Sequence, residues 1–398
     1  METLTFFMTS TFYPPYHLGG DAVHVKYLAE ELVKRGHEVH ILHSLDAYKV
    51  KGKSLPEKAE TDVVHTHMIK THFNHSPYTA YVLGNSSSIL KKFEGLVKEV
   101  KPDVVHHHNI SLLGYRLLKK RGDYLNLYTA HDYWLICQQN NLLKNGSEIC
   151  NGSSCFLCSL RCGRPPQLWR RRKEFREAVG NIDILIAPSN YVRNKISANF
   201  DVKAVTIPNF VPEPPSRIEP SGFFNFFLYA GVLERHKGIM NLINVYKEIS
   251  GEINAKLLIV GTGSLRDKIR EYIKRNRLET KIVLLGWVDR SLLYQLLKEA
   301  NALIMPSLWP ENCPLIALEA LSVRTPVIAS NKGGLPEIVE KIDKDLIYSS
   351  TDELKYILLN FDKNEYPSRI IEKFYEKCYS PDVYLEKYEC LFKGESVQ

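Results

Sequence analysis

Apolar residues fall along the chain in two alternating rhythms. Short, nearly unbroken apolar runs predict buried strands at Leu4 to Met8, Val39 to Leu42, Asp62 to His67, Asp103 to His107, Leu125 to Thr129, Asp183 to Ala187 and Ala204 to Ile207. Between them, apolar positions recur at three and four residues. Val25, Leu28, Ala29 and Leu32 place one apolar face on a helix from Ala22 to Lys34, and Ser87 to Val100 and Asn190 to Asn199 follow the same rule. A proline-dense stretch from Pro208 to Pro220 interrupts the alternation, which then restarts. Its second round predicts strands at Phe226 to Ala230, Leu257 to Val260, Ile282 to Leu285, Ala302 to Met305 and Pro326 to Ala329. The helices of that round run near Ile239 to Ile249, Leu265 to Arg275 and Ser291 to Ala300. Strands alternating with helices predict parallel sheets covered on both faces. The expectation is α/β, with two Rossmann-like doubly wound domains. They span residues 1–212 and 223–380, with a linker at 213–222 and a final helix in 381–398.

Composition narrows the class. The chain has 398 residues, 44% of them hydrophobic and 24% charged, which suits a globular protein of two domains. No apolar run approaches the ~20 residues that span a bilayer. The opening METLTFFMTSTFYPP lacks a basic start and a small-residue cleavage site. A cytoplasmic location is expected, free or peripheral on a membrane. The net charge is +7, and its excess lies in the first half: residues 1–215 carry 27 Lys and Arg against 20 Asp and Glu, while 216–398 carry 25 of each. Such asymmetry suits an anionic surface and equally suits uneven solvated charge.

Candidate chemistry gathers at the carboxyl ends of the strands, where ligands bind in doubly wound folds. Trp309 to Val339 reads WPENCPLIALEALSVRTPVIASNKGGLPEIV. Glu311 sits in a proline-flanked loop after a strand, and Glu319 sits in a helix that begins near Pro314. The first N–H groups of that helix, on Leu315 and Ile316, face outward and suit a phosphate. Two carboxylates flanking a phosphate site can grip hydroxyls on either side of a diphosphate, the order of groups in a nucleotide-sugar. In YAGVLERHKG, Arg235 and Lys237 can neutralise a leaving diphosphate. Gly19 and Gly20 follow the first strand, and Gly261 and Gly263 follow a later one. Each pair is either a plain turn or a close backbone approach to a ligand. His131 ends the strand LYTAHD and is either a sugar contact or a histidine bonded to backbone. The three-glycine Rossmann fingerprint and the GxSxG elbow are absent, and no nucleic-acid motif is visible.

Two stretches remain. Cys137, Cys150, Cys155, Cys158 and Cys162 cluster in one segment that contains CFLC, the two-residue gap of a zinc knuckle. A structural zinc held by Cys137, Cys150, Cys155 and Cys158, with Cys162 as an alternative ligand, stands beside free thiols or disulfides. Then Trp169 and Phe175 lie among Arg170, Arg171, Arg172, Lys173 and Arg176, either an anionic-membrane helix or a solvated one. His65 with His67, and His106 with His108, alternate on strand faces and offer two metal ligands each without an identifiable third.

These motifs resemble the retaining glycosyltransferases of the GT-B fold, family 4 (group 1), over nearly the whole chain. The likeness runs from YPPYHLGGDAVHVKYLAEELVKRGHEVHIL through GVLERHKG and VGTGS to GGLPEIV. It implies two Rossmann-like domains facing across a cleft, with the acceptor on the first and a nucleotide-sugar donor on the second. By the resemblance Glu311 contacts the donor sugar, Glu319 the ribose and Lys237 the diphosphate. Gly231, Gly261 and Gly263 line the donor, Gly20 approaches it from the other domain, and His131 lies near the reacting carbon. Val232 stands where the family often has arginine, a role Arg235 can take. The implied product is a glycan or a lipid-linked sugar, made without a catalytic cofactor. A nucleotide-sugar epimerase of the same architecture and a non-catalytic nucleotide-sugar-binding protein are the alternatives.

Overall fold

β-branched and aromatic runs become strands here because parallel strands are buried on both faces. The computed structural model describes residues 3–52, 63–71, 75–145, 148–150, 152 and 155–393. The expected strand start at Asp62 lies outside them. The early strands are β1 (Thr5–Thr9), β2 (Glu38–Ser44), β3 (His65–Ile69), β4 (Val104–His107) and β5 (Leu125–Thr129). A short hairpin, β6 (Leu143–Lys144) with β7 (Glu148–Ile149), precedes β8 (Ile184–Ala187) and β9 (Ala204–Thr206). The later strands are β10 (Phe226–Ala230), β11 (Lys256–Val260), β12 (Ile282–Gly286), β13 (Leu303–Met305), β14 (Val327–Ser330) and β15 (Ile347–Tyr348). The chain divides into two compact units, Met1–Ile207 with Glu386–Gln398, and Pro208–Leu385.

The first unit is built on a seven-stranded sheet ordered β3-β2-β1-β4-β5-β8-β9. Every pairing in it is parallel. Phe7 of β1 stacks on Phe93 of the helix Ser87–Val100, and both are fully buried. On the same core lie Trp134, Trp169 and Phe175. The end of the chain joins this unit through Tyr388, which stacks on Phe6 and bonds His106 at 2.8 Å.

The second unit has a six-stranded parallel sheet ordered β12-β11-β10-β13-β14-β15. The helix Leu315–Ser322 crosses between β13 and β14 and is apolar almost all round, as a buried crossover helix must be. Both sheets share one permutation: the first strand lies in the middle, and the chain winds one way and then the other from it. That creates a switch point beside β1 and β4 in one sheet and beside β10 and β13 in the other, where loops diverge and leave room for a ligand.

Candidate active site

In the second unit the switch point is furnished by two loops. The loop after β10 makes a short turn, Arg235–Lys237, and the loop after β13 leads to the helix Leu315–Ser322. They meet through an ion pair: Lys237 Nζ donates to Glu311 Oε1 at 2.6 Å. Ser307 Oγ donates to the same oxygen at 2.5 Å. The Lys237 ammonium also lies 4.9 Å from the centre of the Trp309 ring. Glu311 is 3% exposed. Burial pushes its carboxyl up, but the charge and hydrogen bond of Lys237, with Ser307, outweigh burial and hold it below the usual range. The backbone of Glu311 is pinned as well. It bridges to Gly333, and Gly334 N–H donates to Glu311 O at 2.6 Å. Gly333 has φ +64°, and a Cβ there would lie 2.2 Å from Glu311 O. The GGLPE segment therefore serves to hold the first glutamate.

Glu319 sits inside the buried helix and is answered by Arg290, whose Nη2 donates to Glu319 Oε1 and to Tyr294 Oη, both at 3.1 Å. Burial raises the Glu319 carboxyl, and Arg290 opposes that. Arg290 is about half exposed while Glu319 is enclosed. The pair is thus open from the arginine side, where a hydroxyl could replace it. Pro314 caps the helix, and the N–H groups of Leu315 and Ile316 precede Ala317, whose N–H is bonded to Pro314 O at 3.1 Å. Arg235 is exposed on its turn, and Val232 is half exposed beside it. Gly261 and Gly263 pack against the chain itself. A Cβ on Gly261, whose φ is +128°, would lie 1.9 Å from Gly231 O, and one on Gly263 would lie 2.5 Å from Leu233 O. Their close approach is backbone to backbone, which sets the shape of the Gly231 loop.

In the first unit Gly19 caps the helix Gly20–Lys34, and Asp21 in its first turn accepts from Asn109 Nδ2 at 2.7 Å. His131 follows β5. One of its ring nitrogens, Nε2, is hydrogen-bonded to His108 Nδ1 at 2.9 Å. The His24 ring meets it edge-on at 5.2 Å, and His106 lies 3.9 Å from His108, ring centre to ring centre. Burial lowers His131 to about 4, against the opposing charge of Asp21. The imidazole is therefore neutral near pH 7. The next residue goes the other way. Burial raises Asp132 to about 7, although Trp134 N–H donates to it at 2.8 Å.

Sequence reading missed the partners. Arg290, Tyr294 and the imidazoles around His131 come from distant positions and carry no motif. Ser307 and Trp309 lie four and two residues before Glu311, and that closeness was the local signal. The basic stretch needs a correction. Trp169 and Phe175 do not face outward beside the arginines; each is 2% exposed. Trp169 stacks on Tyr115 at 5.0 Å, and Arg170 lies over the Trp169 ring at 4.7 Å and donates to Trp134 O at 2.5 Å. Two large aromatics gain more by filling the core than by lying on a surface. In the cysteine segment all the thiols are free. Gly152 N–H donates to Cys150 Sγ at 3.3 Å and Asn145 N–H to Cys158 Sγ at 3.4 Å. Burial, then the neighbouring thiols Cys150, Cys137 and Cys158, raise the Cys155 thiol. The thiols share one neighbourhood. Their sulfurs are not among the sets of three or more ligand atoms that come within 4.8 Å of one another in the described residues.

Comparison with known proteins gives this geometry a family. Residues 18–213 match the model of Glycosyltransferase Family 4, and residues 217–376 match that of Glycosyl transferases group 1. An uncharacterized glycosyltransferase of Methanocaldococcus jannaschii is 28% identical over 82% of this chain and 80% of its own. Among solved structures, a sucrose-phosphate synthase from Thermosynechococcus elongatus superposes with a TM-score of 0.72 at 17% identity, over 98% of each chain. The Anabaena protein HepE, solved with UDP and glucose, superposes with a TM-score of 0.66 at 13% identity, over 98% of this chain and 100% of that one. With each unit matched by its own model and the whole by structures of the same two-sheet architecture, the chain belongs to the group 1 glycosyltransferases of the GT-B fold.

Proposed function

We propose that this glycosyltransferase is retaining and moves a hexosyl or related sugar from a nucleotide-sugar to a glycan or lipid-linked acceptor. The observation that carries the reading is the Lys237–Glu311 pair at the switch point of the second sheet, with Glu319 following in the next helix. Lys237 supplies a fixed cation where a diphosphate would leave, and Arg235 lies exposed on the same turn. Glu311, kept ionised, accepts from hydroxyls of the transferred sugar. Glu319 takes the ribose hydroxyls, which displace Arg290. The N–H groups of Leu315 and Ile316 receive the phosphate. In the first unit the neutral His131 donates to or accepts from a sugar hydroxyl, and Gly19 and Gly20 leave its ligand face uncluttered. No carboxylate stands as an obvious nucleophile. The leaving phosphate then takes the acceptor proton on the same face, and the developing charge is met by Lys237 and Arg235. HepE, of the same fold, was solved with UDP and glucose, which supports a nucleoside diphosphate here.

Protein cations take the place of a divalent ion at the diphosphate in this reading, so transfer proceeds without a catalytic cofactor and survives brief EDTA treatment. The cysteine segment is assigned a structural zinc. Five cysteines in one segment, two of them with the CFLC spacing, support it, although their sulfurs do not gather within 4.8 Å of one another in the described residues. Peripheral attachment to an anionic cytoplasmic membrane face rests on other residues than Trp169 and Phe175. Val82, Leu83 and Leu168 are exposed and line one cavity with Arg116 and Arg172. Among the described residues no helix is long and apolar enough to cross a membrane. The deciding experiment incubates the protein with a panel of nucleotide-sugars and acceptors. It measures free nucleoside diphosphate, and NMR reads the anomeric configuration of the product. Release of nucleoside diphosphate with the donor's configuration kept is expected. An inverted linkage overturns retention, and an epimerised nucleotide-sugar without glycan overturns transfer.

A further inference from the structure

A second cluster lies on strands β2 and β3, apart from the transfer chemistry. Alternate residues of a strand share a face. Glu38 and His40 therefore stand on one face of β2, and His65 and His67 on one face of β3. In sequence the two histidines of β3 had no third ligand. The parallel register supplies it, setting His40 beside His65. His40 Nε2 lies 3.0 Å from Glu38 Oε1, and His65 Nε2 lies 3.9 Å from the same oxygen. The His40 and His65 rings stack at 4.7 Å. Among the described residues these three are the one set whose ligand atoms all fall within 4.8 Å of one another.

Two imidazoles and a carboxylate form a ligand set that suits zinc. A tetrahedral zinc with bonds of about 2.0–2.1 Å holds its ligand atoms about 3.3 Å apart, between the two separations found here. A metal-bound imidazole generally passes its other N–H to an acceptor that sets its tautomer and orientation. His40 has such a partner: its Nδ1 is 2.9 Å from His67 Nε2, and the two rings are within 8° of parallel. The side chains of Glu38 and His65 are 50% and 64% exposed, and an ion reaches them without disturbing the core.

Glu38 opens β2, so this cluster is at the amino end of a parallel sheet, whose ligand sites lie beyond the carboxyl ends. It is also at the sheet's edge, since among the described residues β3 pairs only with β2. Edge strands lack a second partner. We propose that Glu38, His40 and His65 bind a Zn²⁺ ion, with His67 positioning His40 and a fourth position open to solvent. The ion staples the edge strand to its neighbour.

The test uses the full chain, stripped with EDTA and kept reduced, titrated with Zn²⁺ and separately with Co²⁺. Zinc bound at equilibrium, Tm and hydrogen exchange of residues 65–69 are measured. The wild type is expected to take up an equivalent of zinc that His65→Gln does not, with a zinc-dependent rise in Tm and protection of β3. His67→Ala should weaken that equivalent ~10- to 100-fold. Cobalt at this site should give visible bands without the near-ultraviolet charge transfer of thiolates, which separates it from the cysteines. His65 and Glu38 are exposed, so His65→Gln and Glu38→Gln should fold. If both keep wild-type zinc stoichiometry and the same Tm response, the proposal is overturned. It is equally overturned if all bound cobalt reports thiolate ligands.

Discussion

The two units bury polar groups at equivalent places in equivalent sheets and treat them in opposite ways. The second keeps its carboxylates beside cations, Glu311 with Lys237 and Glu319 with Arg290. The first holds thirteen of the chain's fourteen histidines and stacks several as neutral rings, with His107 and His108 fully buried at the end of β4. A paired charge retains its field when buried and stays ready for an anion. An imidazole that gives up its proton on burial offers a neutral donor and acceptor. The contrast fits a diphosphate on one unit and sugar hydroxyls on the other.

Acid should break the contrast most strongly. Burial lowers His43 to about 4, His107 to about 3 and His131 to about 4. A folded pKa below the unfolded one means that stability is full above about 6.5 and lost as pH falls toward the folded value. Each such ring costs about 1.4 kcal/mol per pH unit in that window. Hydrogen exchange between pH 7 and 5 should therefore show peptides of β4 and β5 losing protection before those of β10 and β11. Equal loss in both sets would remove the distinction.

Lys237→Ala comes next. Transfer should fall 100-fold or more, since one preorganised donor to developing charge is worth ~3 kcal/mol. The variant also strands Glu311 in a buried site, so Tm should fall too. Lys237→Ala with Glu311→Gln should recover much of the Tm and none of the rate. A double variant no more stable than the single one would show that the pair is not the cause.

A smaller effect is expected at the other pair. On the proposed ribose contact, which would be equal in ground and transition states, Glu319→Ala should raise donor KM ~10-fold with kcat little changed. Arg290 is half exposed and readily hydrated, so stability should hardly move. A fall in kcat with KM constant would place Glu319 nearer the reacting bond.

Asp132 gives the finest test. Its folded pKa of about 7 lies above the usual 3.8. The neutral acid's contribution is full below the unfolded value and is lost as pH rises through 7. It therefore runs against the histidines by about 1.4 kcal/mol per pH unit. Asp132→Asn, which can still accept from Trp134 N–H, should steepen the acid-side loss of stability in urea unfolding. An unchanged slope would mean that Asp132 is ionised in the folded chain.

Periodicity and composition by themselves determined the strands of the first sheet, five of the six in the second and the main crossover helices, because hydrophobic period is a local property of the chain; the two-residue β15 is too short to show a period. The motif residues Glu311, Glu319 and Lys237 were legible for the same reason: each sits at a fixed offset from a strand or helix end. What the sequence could not show is which of these groups meet. Lys237 and Glu311 are 74 residues apart, and only the placement of β10 beside β13 joins them. His40 and His65 become neighbours only through the register of β2 on β3. Trp169 and Phe175 read as a surface pattern among arginines and were claimed by the core, since burial of large rings is a property of packing. The tertiary structure decided partners, and with them which side chains are charged, because a pKa depends on solvent access and on neighbours that the chain brings from far away.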